Sequence, residues 1–76
     1  MKKDLFLEEE KLVLKNFLDN YESKNVNQRD YCISLLDIYI KEEKGMMKEL
    51  FKEIKEKLIN ISNEELLEQN LESSIY

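Results

Sequence analysis

The stretch YCISLLDIYI, residues 31–40, is the most apolar part of this 76-residue chain. Eight of its ten residues are apolar or aromatic, and only Ser34 and Asp37 interrupt them. A helix that carries apolar side chains on nearly every side has to be covered on several of those sides. We therefore expect this segment to form the buried axis of the fold.

A helix over residues 28–44 is the interpretation we favour for this stretch. Asn27 is the expected N-cap, with Asp30 as the reciprocal arm of a capping box. A strand is the rival interpretation because isoleucine and tyrosine favour strands. It is weaker because the alternation fails at Leu35-Leu36, and because the chain has no second strand-like run with which to pair.

Apolar residues at helical spacing predict two further long helices, over residues 4–21 and 46–60. Asp4 is the expected N-cap of the first of these helices. Its apolar face comprises Leu14, Phe17, Leu18 and Tyr21. The third helix has the most regular period in the chain, with steps of 4, 3, 4 and 3 between Met47, Phe51, Ile54, Leu58 and Ile61.

Gly45 is the only glycine of the chain and follows the second predicted helix. Glycine adopts the left-handed backbone geometry that commonly ends a helix, so we place a turn there. The alternative is one long helix over residues 28–60 that tolerates the glycine at a cost of about 1 kcal/mol.

The sharpest local signal is the capping box formed by Ser62 and Glu65. Ile61 can pack on Leu66 across this box as a hydrophobic staple. A short fourth helix over residues 63–71 follows from it.

The predicted fold is therefore a single all-α domain, a bundle of three main helices with a short C-terminal fourth. The fourth helix is expected to bury Leu67 and Leu71, and residues 73–76 are expected to fray. A core in a chain this small is modest, so a second copy or a partner is a natural source of extra stability.

Composition argues against most catalytic and metal-binding functions. The chain has no histidine and a single cysteine, Cys32, so neither a disulfide nor the usual zinc site can form within it. Cys32 lies among apolar residues, where an unreactive buried thiol is expected. We predict no catalytic residues, no metal site and no cofactor, and therefore no enzyme.

Charge and hydropathy indicate a cytoplasmic protein with an acidic end. Residues 1–57 carry 13 acidic and 12 basic side chains, whereas residues 58–76 carry four acidic and none basic. No run approaches the ~20 apolar residues of a membrane span. Frequent Lys, Asn and Ile with no Ala or Pro suggest an AT-rich genome, such as that of a low-GC bacterium, its phage or a plasmid.

Protein binding is the function that remains after these exclusions. Three helices with one apolar stripe each can close a core, but the second helix has apolar residues on more than one side. We expect the surplus, with the acidic tail, to contact a partner, and the candidates are Tyr31, Ile38, Tyr39, Glu64, Glu65, Glu68 and Glu72.

The leading hypothesis is a small acidic adaptor or inhibitor that occupies a partner's basic surface, for example a phage- or plasmid-encoded mimic of nucleic acid. A homodimer is another way to cover the surplus. The first alternative is a dimeric DNA-binding regulator that uses helices 28–44 and 46–60. Direct DNA contact is disfavoured because the would-be recognition helix alternates Lys and Glu. A structural assembly subunit is the second alternative.

Overall fold

The computed structural model describes residues 5–22, 25–42, 45–69 and 71. Within these residues the chain forms four helices and no strand, which confirms the all-α prediction of three main helices and a short fourth. The helices are α1, Glu8–Asp19; α2, Gln28–Glu42; α3, Met46–Ile59; and α4, Asn63–Leu67.

Helix α2 is the centre of the fold and packs against each of the other three helices. Its side chains Cys32 and Leu36 are fully buried, which confirms the buried-axis prediction for this stripe. Other sides of α2 remain open, because Ile38 is 50% and Tyr39 is 42% exposed. The apolar core comprises Phe6, Leu14, Leu18, Cys32, Leu36, Phe51, Ile54, Leu58, Leu66 and Leu71.

Helix α1 is shorter than the predicted 4–21, since it begins at Glu8 and ends at Asp19. The predicted N-cap, Asp4, lies outside the described residues. Asn20 is the C-cap, and its backbone N–H donates to the Phe17 carbonyl at 3.2 Å.

The chain enters α1 with extended backbone, which explains the late start. Leu7 is the N-cap (φ −72°, ψ 165°), and its N–H donates to Glu10 Oε1 at 2.7 Å. This entry places the Phe6 side chain in the core, with the Lys57 ammonium 5.8 Å from the centre of its ring. A helix that began earlier would lose this extended entry, so the burial of Phe6 favours a start at Glu8.

Gly45 separates α2 from α3, so the alternative of one helix over residues 28–60 is wrong. Its φ of +130° lies in the region that glycine alone adopts without steric cost, and it is the N-cap of α3. No heavy atom lies within 4 Å of the place where a Cβ would stand, so backbone conformation selects glycine here. The predicted end of the second helix, residues 43 and 44, lies outside the described part of the chain.

The start of α2 is held by two asparagines. Asn27 Oδ1 accepts from the Asp30 N–H at 2.8 Å, which confirms Asn27 as a cap. The predicted reciprocal arm does not form, because the Asp30 carboxylate pairs instead with Arg29 Nη1 at 3.0 Å. Asn63, at the start of α4, accepts from the Arg29 N–H at 3.0 Å.

Arg29 also ties α2 to the C-terminal end of α3. Its Nε donates to the Leu58 carbonyl at 2.8 Å, and its Nη2 donates to the Ile59 carbonyl at 3.3 Å. The last carbonyls of a helix have no partner within that helix, so the guanidinium satisfies two of them and places positive charge at the negative end of the dipole.

The capping box that begins α4 is confirmed. The Glu65 N–H donates to Ser62 Oγ at 3.1 Å, and the Ser62 N–H donates to Glu65 Oε1 at 2.9 Å. The predicted burial of Leu71 is also confirmed, but that of Leu67 is wrong, because Leu67 is exposed and its neighbour Leu66 is buried instead. Helix α4 ends at Leu67, before the predicted end at residue 71.

Truncating Leu36 to alanine tests the central position of α2. We expect Leu36→Ala to lower the free energy of unfolding by about 2–5 kcal/mol, because a fully buried leucine leaves a cavity. Urea denaturation followed by circular dichroism measures the loss.

Leu12→Ala is the matched control, because it makes the same change at a residue that is 63% exposed. A surface substitution of this kind changes stability by about 0.5 kcal/mol or less. Equal losses for the two variants would contradict a core built around α2.

Candidate functional site

An open groove with a volume of about 470 Å³ runs along the surface between α1, α2 and the start of α3. Its size falls within the ~300–1,000 Å³ of sites that bind small molecules. Nine residues line it: Val13, Asn16, Phe17, Asn20, Tyr31, Leu35, Tyr39, Met47 and Phe51.

A row of three aromatic rings, one from each long helix, crosses the groove. The rings of Phe17 and Tyr39 are parallel to within 3°, with centroids 5.6 Å apart. The Phe51 ring lies 5.6 Å from Tyr39 at an angle of 42°. Contacts of this kind contribute beyond area burial and hold the rings in place. Tyr39 therefore lies in the middle of a prearranged aromatic surface while remaining partly open to solvent.

A second aromatic pair, Tyr21 and Tyr31, joins the segment after α1 to the start of α2, and Tyr31 of this pair lines the groove. The rings of Tyr21 and Tyr31 meet edge to face, 5.1 Å apart and inclined at 66°. The Tyr31 hydroxyl donates to the Asn20 carbonyl at 3.2 Å, and the Tyr21 hydroxyl donates to the Val26 carbonyl at 2.5 Å. These bonds fix Tyr31, whereas the Tyr39 hydroxyl forms no hydrogen bond with another described residue.

The candidate contact residues from the sequence fall in different parts of the structure. Tyr31 and Tyr39 line the groove, and Ile38 is exposed on α2 without lining it. The acidic candidates Glu64, Glu65 and Glu68 lie on or beside α4, away from the lining, and the Glu65 side chain is engaged in the capping box. Glu72 lies outside the described residues.

The contribution of α1 is the part of the groove that the sequence prediction missed. Val13, Asn16 and Asn20 lie at spacings of three and four, so they share one helix face with Phe17. The two asparagines interrupt the apolar pattern of that face. Val13, Asn16 and Asn20 lie beside the buried face of α1. This mixture of one apolar residue and two amides is the sequence feature that indicates a partly exposed surface there.

The groove offers groups that bind apolar side chains. Its lining comprises aromatic rings, aliphatic side chains, a methionine thioether and two amides, and none of its nine residues carries a carboxylate, an amine or a thiol. Among the described residues there is no group of three or more metal-ligating side chains. No helix among them is both long enough and apolar enough to cross a membrane.

Cys32 lies outside the groove and is fully buried in the core. Burial disfavours its charged form and raises the pKa of the thiol to about 12. The thiolate is the reactive form of cysteine, so at neutral pH this side chain acts as a small apolar residue.

Glu10 is the one fully buried acidic residue among those described. Burial alone would raise the pKa of its carboxyl, but hydrogen bonds from Lys57 and from the Leu7 N–H outweigh it, and the pKa lies below its ordinary value of 4.5. Lys57 Nζ is 2.7 Å from Glu10 Oε1 and 3.6 Å from Glu53 Oε2, and these carboxylates raise its pKa.

This contact joins the start of α1 to α3 and thereby supports the helix that forms one wall of the groove. Glu10 Oε1 accepts from both Lys57 and the Leu7 N–H, whereas Oε2 is buried without a hydrogen-bond partner among the described residues. Both hydrogen-bond partners of Glu10 come from elements of the fold itself, so we interpret Glu10 as a structural residue.

Comparison with protein-family models, with curated proteins and with solved structures finds no match to this chain.

The ion pair of Glu10 with Lys57 predicts how the stability of the protein depends on pH. A carboxyl whose pKa is lowered on folding stabilises the folded state above its unfolded pKa, and this contribution disappears as the pH falls through the folded pKa. We expect Glu10→Gln to lower the free energy of unfolding by about 1–3 kcal/mol at pH 7, because it removes a charged partner from a buried site. The difference from the unaltered protein should shrink below pH 4.5.

Glu9→Gln is the matched control, since Glu9 is the exposed neighbour of Glu10 in the same helix turn. Urea denaturation of the three proteins between pH 3 and pH 7 measures the effect. A Glu10→Gln loss that stays constant across this range would contradict the lowered pKa.

Proposed function

We propose that this protein is a small cytoplasmic interaction module, an adaptor or inhibitor that acts by occupying the surface of a partner protein. The observation that carries the proposal is the open aromatic groove between α1, α2 and α3. Aromatic anchors in partly enclosed apolar surfaces dominate the energy of protein interfaces. Tyr39 has this character, because its ring is held between Phe17 and Phe51 while 42% of the residue stays exposed.

The helices that form the walls of the groove carry further exposed apolar side chains. Leu12 on α1 and Ile38 on α2 are both at least half exposed. Within the lining, Tyr39 and Met47 are exposed as well. Exposed apolar surface on a small domain is typical of a protein-binding site.

The acidic residues of α4 form the second part of the proposed contact surface. Glu64 and Glu68 are exposed, and four acidic residues with no basic one follow residue 57. Such a surface suits a partner with a basic patch, including one that ordinarily binds nucleic acid. A phage- or plasmid-encoded blocker that mimics nucleic acid is the specific form of this proposal.

Filling the groove tests the proposal. Asn16 lines the groove and is exposed, so Asn16→Trp should obstruct it without disturbing the core. Lys15→Trp is the matched control, because it places the same ring on the neighbouring exposed position outside the lining. We expect tagged protein to capture a defined partner from the cells that encode it, and Asn16→Trp to reduce that capture about tenfold.

Equal capture by both variants would contradict binding through the groove. Raising the salt concentration tests the nucleic-acid mimic, whose binding should weaken steeply because carboxylates carry it. A flat salt response would remove the mimic. Retention of the purified protein on a DNA column at low salt would favour the DNA-binding alternative, and large discrete oligomers in light scattering would favour the assembly subunit.

A further inference from the structure

The groove is as long as two turns of a helix. Tyr31, Leu35 and Tyr39 line it along α2 at intervals of four residues, which correspond to about 12 Å along the helix axis. The apolar anchors of an amphipathic helix at positions i, i+3, i+4 and i+7 extend over nearly the same distance. One apolar face of a partner helix therefore matches the groove in length.

The walls of the groove favour a helix over other forms of peptide. All three walls are helices whose backbone groups are hydrogen-bonded internally, so there is no sheet edge to which an extended peptide could add. A proline-rich peptide needs space between aromatic rings, but Phe17 and Tyr39 already stack on one another. A helix satisfies its own backbone and needs only an apolar surface.

Among the described residues, one acidic residue lies close to the lining, along the chain, at each end of the groove. Asp19 is in the last turn of α1, beside Asn16 and Asn20 of the lining, and Glu42 follows Tyr39 by three residues on α2. Contacts of Tyr31 with Asn20 and of Tyr39 with Phe17 show that α1 and α2 run antiparallel, so these two acidic residues mark opposite ends. Neither forms an ion pair with another described residue.

The wider charge distribution has the same sign. Residues 5–22, 25–42 and 45–59, which include the three helices that form the walls, carry eleven acidic and eight basic side chains. Asp19 also lies at the negative end of the α1 dipole, where the last turn has no basic residue. A positive charge brought there by a partner would relieve this unfavourable arrangement. The net charge of −5 disfavours a second copy of the chain as the occupant.

We propose that the groove binds the apolar face of a basic amphipathic helix from another protein, with Asp19 and Glu42 receiving basic side chains at its two ends. This inference rests on the proposed function and adds the chemistry of the partner. Tyr39 and Leu35, which line the groove, contact the apolar anchors.

A set of synthetic peptides of about 18 residues, long enough to form a helix, tests the proposal by fluorescence anisotropy. The first has leucines at i, i+3, i+4 and i+7 and lysines on its other faces. The second replaces each lysine by glutamate. The third contains the residues of the first in an order without an apolar stripe, and the fourth has a proline at a central lysine position. We expect only the first to bind.

Single charge reversals locate the binding site. Asp19→Lys and Glu42→Lys should each weaken binding of the first peptide about fivefold, whereas Glu56→Lys should change it less than about twofold. All three variants change the net charge equally, and each places lysine near the C-terminal end of a helix, where it is favoured. An equal effect of Glu56→Lys would overturn the assignment of the ends.

Each other outcome overturns the inference in a distinct way. If the glutamate peptide binds equally well, basic charge is not the basis of recognition. If the reordered peptide binds equally well, the apolar stripe is not recognised and only a general attraction to an acidic protein is left. If the proline peptide binds equally well, the bound form is not a helix. Self-association without peptide binding makes a second copy the occupant.

The Asn16→Trp experiment separates this inference from the proposed function. If no peptide binds, but Asn16→Trp captures less of the partner than the unaltered protein does, the groove is a binding site for another kind of ligand. If neither the peptides nor the captured partner responds to Asn16→Trp, both proposals fail.

Discussion

The structure depends on a single stripe of helix α2, where Cys32 and Leu36 are fully buried and where α2 packs against each of the other three helices. The other three helices can cover only part of the circumference of α2. In this chain the packing of α1, α3 and α4 against α2 leaves Cys32 and Leu36 fully buried, whereas the adjoining row of Tyr31, Leu35 and Tyr39 is covered only in part. The groove is thus a consequence of building a core of four helices, one of them very short, around one central helix.

The local features of the fold could be predicted from the sequence because they depend on residues close together in the chain. The Ser62–Glu65 capping box, the Asn27 cap and the break at Gly45 each follow from backbone geometry over a few residues. The regular period of α3 likewise places Phe51 and Ile54 on the buried face. Apolar periodicity and cap chemistry were sufficient for these elements.

The errors arise where distant parts of the chain meet. Helix α1 starts late because Phe6 is buried and because Glu10 binds Lys57, 47 residues away. Arg29 binds the Leu58 carbonyl at the end of α3, 29 residues away, and no local pattern indicates this contact. Leu66 rather than Leu67 is buried because the orientation of a five-residue helix is set by the surface on which it packs. Only the α2 side of the groove was predicted, because Tyr31 and Tyr39 belong to the apolar stretch. Asn16 and Asn20 do not belong to it, and only the packing of α1 on α2 brings them to the same groove.

The most direct test of the central claim, that the groove is the binding surface, is an NMR titration of isotope-labelled protein with a basic amphipathic helical peptide. The account predicts that amide signals of lining residues such as Asn16, Leu35 and Met47 shift together, while those of Glu53 and Glu56, which are exposed on α3 outside the lining, stay in place. Shifts confined to residues outside the lining, or no shifts at saturating peptide, would contradict it.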